Sequence, residues 1–596
     1  MKNSHLTQRI RRRLRNHRAG RRLQLEALES RQVLSSIPVE TFDDVVDPND
    51  NVTSLREAIA QAAENTEADT IVVPAGTYQL ESGIGELAIN DLYAVTIQST
   101  GGLATIDAVG GSRVFSVAAG SNVTFEGLVI TGGVASEPGK DVGGGLHNLG
   151  EVTINDCAFR FNSAAIAGGA LQNSGVANLT NTVFEWSSSI YGGAVDNTGT
   201  LTVTEGAFRN NTASFVGGGI NSPGYLTVSG TTFTGNSAEW GGALLNAGAA
   251  TVSSSWFMSN TATGGGGIRN DAAIEVTDST VSGNTATYGA GISSGFGGTT
   301  TITGSTVSGN VAYDTGGGIE LWSGTMTISG STVSGNYSAY RGGGIYSAGT
   351  LSIDSSTISS NTSANNGGGL FNDYYVPLNI SASTFEGNTA GAAGGGIYSE
   401  YGYGQFLAGN SFLANTASNG GGLYLYGYAP TITDNRFNSN VNGGLVLNTD
   451  NAFITNNRIT DNIGNGLSIE YGYNTIGTIY TGGGNTITGN SGAGVAVNGY
   501  SNSIRGNVIH TNGGLAIDLG GDGRTVNDPY DGDYGANSLQ NHPVLTDLET
   551  GVTTHVTGRL NSSPYSSFTV DFYAQTGHAP VNSGSAIRYL GSVDVV

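Results

Sequence analysis

Cysteine is nearly missing from this chain: its 596 residues contain one, Cys157. A single thiol excludes an internal disulfide framework and a cysteine-ligated zinc site. Proline is scarce too, at 11 residues, which rules out a collagen-type explanation for the 96 glycines. No stretch approaches the ~18 consecutive apolar residues that a membrane-spanning helix needs, so no transmembrane helix is expected. Lysine occurs only at Lys2 and Lys140, and ten of the 23 Lys and Arg lie within residues 1–31 beside two Glu. The rest of the chain therefore carries 13 cations against 44 acids. A field of that sign repels phosphate backbones, which argues against nucleic acid as a partner. The seven histidines never cluster, so a His-ligated metal or a Ser-His-Asp site has no support.

What the chain does have is a repeat. A small-residue, usually Gly, cluster followed by an aliphatic residue recurs 16 times from Leu146 to Leu515, about every 25 residues. A second landmark follows each anchor: an apolar residue, two variable ones, then Asn, as in Phe208 to Asn211, Val307 to Asn310 and Phe437 to Asn440. Only the unit with Phe184 departs, offering Ser187. Inside a unit the alternation has period two, as in Leu201 and Val203, with Thr between and beside them. Short strands joined by turns at this period make an all-β parallel β-helix of about 16 or more coils. Leucine-rich repeats share the period but need far more Leu per unit.

The Asn column has a physical reason. One Asn per coil at the same inward turn lets each amide bond its neighbours above and below, so no buried polar group is left unpaired. Glycine runs weaken a strand, so their presence implies backbone that takes positive φ or corners with no room for a Cβ.

Several segments resemble known families. GGAL at Gly168 to Leu171 with FRNN at Phe208 to Asn211 resembles the repeats of chlamydial polymorphic membrane proteins, over about residues 143–515. That resemblance implies a right-handed parallel β-helix at a cell surface, often adhesive. No C-terminal run of long alternating strands reads as an outer-membrane barrel. Leu23, Leu25, Glu26, Leu28, Glu29, Arg31 and Leu34 resemble a segment at the front of large exported planctomycete proteins, which implies export.

Five regions follow. Residues 1–36 are a basic targeting segment, and residues 37–70 are an N-terminal cap with a helix over 54–64. Ser54 and Glu57 form a capping-box pattern there, with Leu55, Ile59 and Ala62 set to cover the first coil. SLREAIAQAAE resembles the opening element of bacterial surface β-helix proteins. Residues 71–517 are the β-helix, 518–543 an acidic loop, and 544–596 a partial β-sandwich-like segment that resembles the opening strands of an immunoglobulin-like module. Within the loop, Asp528, Asp531 and Asp533 are candidate Ca²⁺ ligands, although their spacing is not that of an EF-hand.

Aligning the coils on their anchors exposes columns. One residue after the anchor come Tyr346, Phe371, Tyr398 and Tyr424, with Tyr401 and Tyr426 close by, forming an aromatic strip suited to stacking sugar rings. Asp373 and Glu400 share a column in adjacent coils, so their carboxylates can approach to roughly 5 Å, the separation retaining glycosidases use. A polysaccharide lyase also wants Arg or Lys beside its acids, and the sequence suggests almost none on this face. Asn448, Thr449 and Asp450 resemble the opening motif of pectin-hydrolysing β-helices, without the other elements of that family. The resulting expectation is an extracellular or cell-surface protein of adhesive or structural role that binds a polysaccharide or cell-surface glycan. It is read as non-enzymatic and without cofactor except for Ca²⁺. The alternative is a β-helix polysaccharide lyase or glycoside hydrolase acting through Asp373 and Glu400.

Overall fold

A computed structural model describes residues 35–47, 49–373, 375–480, 482–575 and 585–595. The basic targeting segment lies outside the described residues except at its last two positions.

Successive repeats stack as parallel strands in register. Leu201 pairs with Leu226, Val203 with Val228 and Phe208 with Phe233, so each side chain meets its equivalent in the next coil. One long sheet of 35 strands receives two strands from most coils, such as Thr200–Thr204 and Ala207–Arg209. A second sheet receives one three-residue strand from most coils, such as Val195–Asn197, and contains 18 strands. Shorter strands, such as Thr285–Ala286, form a third, interrupted face. The molecule is an all-β, right-handed parallel β-helix of about 18 turns, ~85 Å long at the spacing of neighbouring strands. Two coils precede the first Gly-marked anchor and enter the second sheet as Leu87–Ile89 and Phe115–Val117.

The core is a cylinder of columns. Phe159, Phe184, Phe208, Phe233 and Phe257 stack with ring centroids 4.9, 4.8, 4.7 and 4.6 Å apart, all fully buried. Beside them runs the Asn ladder. The side-chain amide of Asn284 donates to Asn310 Oδ1 at 3.0 Å, and that of Asn310 donates to Asn336 Oδ1 at 2.9 Å. The same link joins Asn211 to Asn236 at one end and Asn490 to Asn512 at the other. Ser187 ends the ladder by donating its backbone N–H to Asn211 Oδ1 at 3.0 Å. The glycines do what the strand cost implied. Gly217 has φ +65°, and a Cβ on Gly218 would sit 2.3 Å from the carbonyl of Gly242 in the next coil.

The ends differ. At the front, the helix Leu55–Ala62 has the reciprocal Ser54 and Glu57 capping box and buries Leu55, Ala58, Ile59 and Ala62. At the back, Val544–Glu549 pairs antiparallel with His555–Arg559, and Phe568–Ala574 with Arg588–Val595. Arg505 grips Asp571 through two bonds of 2.6 and 2.8 Å and ties the second hairpin to the last coils.

Candidate functional site

Side chains alternate along a strand, so the residue after each inward anchor faces away from the core. On the second sheet these outward positions pair in register from Arg269 to Ser293, Glu320, Tyr346, Phe371, Tyr398 and Tyr424. The four rings stack, with centroids 5.6, 5.3 and 5.2 Å apart and planes within 14° of parallel. Tyr346 and Phe371 are buried, at 6% and 0% exposure, while Tyr398 and Tyr424 are half-buried. The expectation that all four present faces to a ligand is therefore corrected for Tyr346 and Phe371. Arg341 reaches over from the neighbouring turn, with its guanidinium carbon 4.6 Å from the centres of both Tyr340 and Phe371.

Asn372 pairs with Ser399, which puts Asp373 and Glu400 at the same position of successive coils, ~4.8 Å apart along the backbone. The Tyr346 phenol donates to Asp373 Oδ2. Burial, and then that bond, push the phenol well above the usual tyrosine range. Arg341 stands 3.5 Å from Glu400 Oε2, and its Nε is buried without a hydrogen-bond partner. The reading that this face lacks a cation beside its acids is corrected by Arg341. One signal was present in the sequence: between Arg269 and Arg436, Arg341 is the only Lys or Arg.

Next to the carboxylates lies a cleft of about 260 Å³ walled by tyrosines, with Tyr375, Tyr401, Tyr403, Tyr426, Tyr428 and Tyr471 around Asn448 and Asp450. Tyr403 and Tyr428 stack at 5.6 Å, and Tyr401 meets Tyr426 at 4.2 Å. Hydrogen bonding to Tyr401 raises the Tyr426 phenol to about 12. Tyr375 and Tyr403 are among the most exposed rings of the cleft, at 74% and 66%.

In the acidic loop, Asp528, Asp531 and Asp533 each offer a carboxylate oxygen within 4.8 Å of the others, close enough to hold one divalent cation. Asp533 Oδ1 is buried without a hydrogen-bond partner, whereas both oxygens of Asp531 accept bonds, from the Asn541 N–H and the Ser562 hydroxyl. Three oxygens are fewer than the six to eight that Ca²⁺ takes, so backbone or water would complete the shell.

The right-handed beta helix region family matches residues 317–478, which contain Arg341, Asp373, Glu400 and the tyrosine cleft. The Chlamydia polymorphic membrane protein repeat matches residues 230–247, a far shorter span than the motif pairs suggested. No curated protein matches the chain. Among solved structures, pectate lyase Pel9A is 14% identical, with 64% of this chain and 80% of that one covered at a TM-score of 0.23. The alginate lyase AlyF-OU02 is 14% identical, with 73% and 87% covered at 0.24. The PL6 family alginate lyase AlyGC is 10% identical, with 80% and 100% covered at 0.19. Likenesses at TM-scores this low carry no argument about this chain. The expectation of a non-enzymatic protein is nonetheless corrected here. Arg341 supplies the charge thought missing beside the acids, and three aspartates of the acidic loop converge within reach of one cation. No described helix is long and apolar enough to cross a membrane.

Proposed function

We propose that the protein cleaves an extracellular polysaccharide laid along the tyrosine cleft, with Asp373 and Glu400 as the reacting carboxylates. The observation that supports this reading is their shared position in successive coils, beside Arg341 and an exposed aromatic wall. That backbone spacing of ~4.8 Å suits the ~5–5.5 Å carboxyl separation of double-displacement hydrolysis. Glu400, ion-paired with Arg341, attacks the anomeric carbon as the glycosidic C–O bond breaks, and Asp373 gives its proton to the departing oxygen. Water then displaces the glycosyl ester, returning its proton to Asp373 and freeing Glu400.

Charge favours hydrolysis over elimination. Beyond residue 31 there are 13 cations against 44 acids, a field that repels a polyuronate and leaves a neutral glycan unaffected. Ca²⁺ suits the all-oxygen triad of Asp528, Asp531 and Asp533, which lies apart from the carboxylate pair in sequence and serves the loop rather than the reaction.

The test is an array of neutral and uronate polysaccharides assayed for new reducing ends and for unsaturated ends. Reducing ends alone are expected, with Glu400→Gln and Asp373→Asn each slowing their release by ~100-fold or more. Unsaturated ends would shift the chemistry to elimination. Full activity in both variants would refute the assignment, and binding without cleavage by the parent protein would leave an adhesive role.

A further inference from the structure

The outward column of the second sheet holds a second built cleft, which ends two coils before the tyrosine cleft begins. Its volume is about 390 Å³, and it is lined by Trp240, Arg269, Tyr288, Phe296, Glu320 and Trp322. That size falls within the range of small-molecule clefts, and its make-up, apolar walls with a few convergent polar groups, is theirs as well. Phe296 is 82% exposed and Trp322 60%, which is costly display for rings in a chain with only four tryptophans.

The floor is polar and ordered. Arg269 lies between Trp240 and Phe296, 5.2 and 5.5 Å from their ring centres, and donates to Asp271 at 2.6 Å and to Ser293 at 2.8 Å. The Ser293 hydroxyl donates to one Glu320 oxygen at 3.0 Å, and the Thr315 hydroxyl to the other at 2.8 Å. Both Arg269 and Glu320 are buried, at 7% and 2% exposure. Withdrawing such charges from water costs several kcal/mol each before pairing returns any of it. The fold does not require them. The same column carries Leu245 one coil before Arg269 and Val446 one coil after Tyr424.

We propose that this tryptophan cleft is a second saccharide subsite, holding a sugar ring against Trp322 and Phe296 with its hydroxyls toward Glu320 and Arg269. It deepens the cleavage reading and rests on it in one respect: the occupant is another stretch of the same polymer. Register supports the link. From Ser293 to Tyr424 the column advances five coils, or ~24 Å, in near one-to-one step with the sugars of an extended glycan. A chain seated in both clefts passes Asp373 and Glu400 on its way. The subsite therefore makes the protein selective for long glycans over short ones.

The same polysaccharide array, with short and long oligomers of each polymer that binds, provides the test. Isothermal titration calorimetry reports binding and reducing ends report cleavage. In the full chain, long oligomers are expected to bind at least ~10-fold more tightly than short ones. Trp322→Ala with Phe296→Ala should abolish that advantage and leave cleavage of short oligomers unchanged. Both rings are exposed, so the substitutions do not threaten folding, and unchanged thermal melting confirms it. Binding that ignores oligomer length, or a long-chain advantage that survives both substitutions, overturns the subsite even where cleavage is found. A long-chain advantage lost in the double variant, with no ends released by the parent protein, keeps the subsite and rejects cleavage instead.

Discussion

The inward and outward columns of this β-helix are built on the same register and obey opposite rules. Inward, the position held by Asn284 is held again by Asn310, Asn336, Asn361 and Asn388, each amide bonded to the next. Outward on the second sheet, successive coils read Arg269, Ser293, Glu320, Tyr346, Phe371 and Tyr398. An inward side chain must satisfy the coil above and the coil below at once, so identity is the simplest solution. An outward side chain answers to solvent and ligand, so the sequence is free to change there, and chemistry collects where it does.

That contrast can be broken most strongly at the ladder. Asn310 Oδ1 accepts both the backbone N–H of Asn284, at 2.9 Å, and its side-chain amide, at 3.0 Å. Asn310→Leu keeps the branched heavy-atom skeleton, though with more bulk, and strands two buried donors, each costing about 1–3 kcal/mol. Urea unfolding should register that loss, and a stability change below the value for one unmade bond would mean the ladder is dispensable. A smaller effect is expected at the parallel serine column, where Ser305 Oγ accepts the backbone N–H of Ser279 at 3.1 Å. Ser305→Ala leaves that one donor unpaired and should cost about 1–3 kcal/mol by the same measurement.

The difference between the columns also explains what could be read from the sequence. Stacking repeats its demands every coil, so Phe208 with Asn211 and Phe233 with Asn236 announce the fold without any structure. Coils that lack the Gly cluster, such as those of Leu87 and Phe115, carry no such marker. The serine column went unread because Ser also fills turns and exposed strand positions, so its period is hidden by its abundance. Site geometry was harder still. Arg341 and Glu400 are 59 residues apart and come together because one arises just before its strand and the other from within the strand Ile397–Tyr403 two coils on. Trp240 and Phe296 flank Arg269 for the same reason, across turns of unequal length. Column alignment puts Asp373 beside Glu400 and the tyrosines beside one another, since these sit at fixed offsets from the anchors. It misjudged the exposure of Tyr346 and Phe371: Arg341, from another face, lies over Phe371, and Tyr346 stacks on that ring with its phenol turned to Asp373.

The smallest effect is expected in the outward column, and its sign is the informative part. Burial pushes the Glu320 carboxyl up from its ordinary value, against the hydrogen bonds from Thr315 and Ser293 and the nearby charge of Arg269, while Asp314 adds to the rise. The folded protein therefore holds this proton more tightly than the unfolded chain, whose value is about 4.3. Stability linked to Glu320 is fully present below that unfolded value and is lost as pH rises through the higher folded one. Glutamine mimics the protonated acid and cannot lose the proton, so Glu320→Gln should match the parent protein near pH ~4, gain on it as pH rises through the folded value, and hold that lead above it. Thermal melting of the two proteins across that range reads the difference directly. A gap that stays constant with pH would mean that folding leaves the Glu320 proton untouched, and the buried charge in the tryptophan cleft would then be held at no cost to the fold.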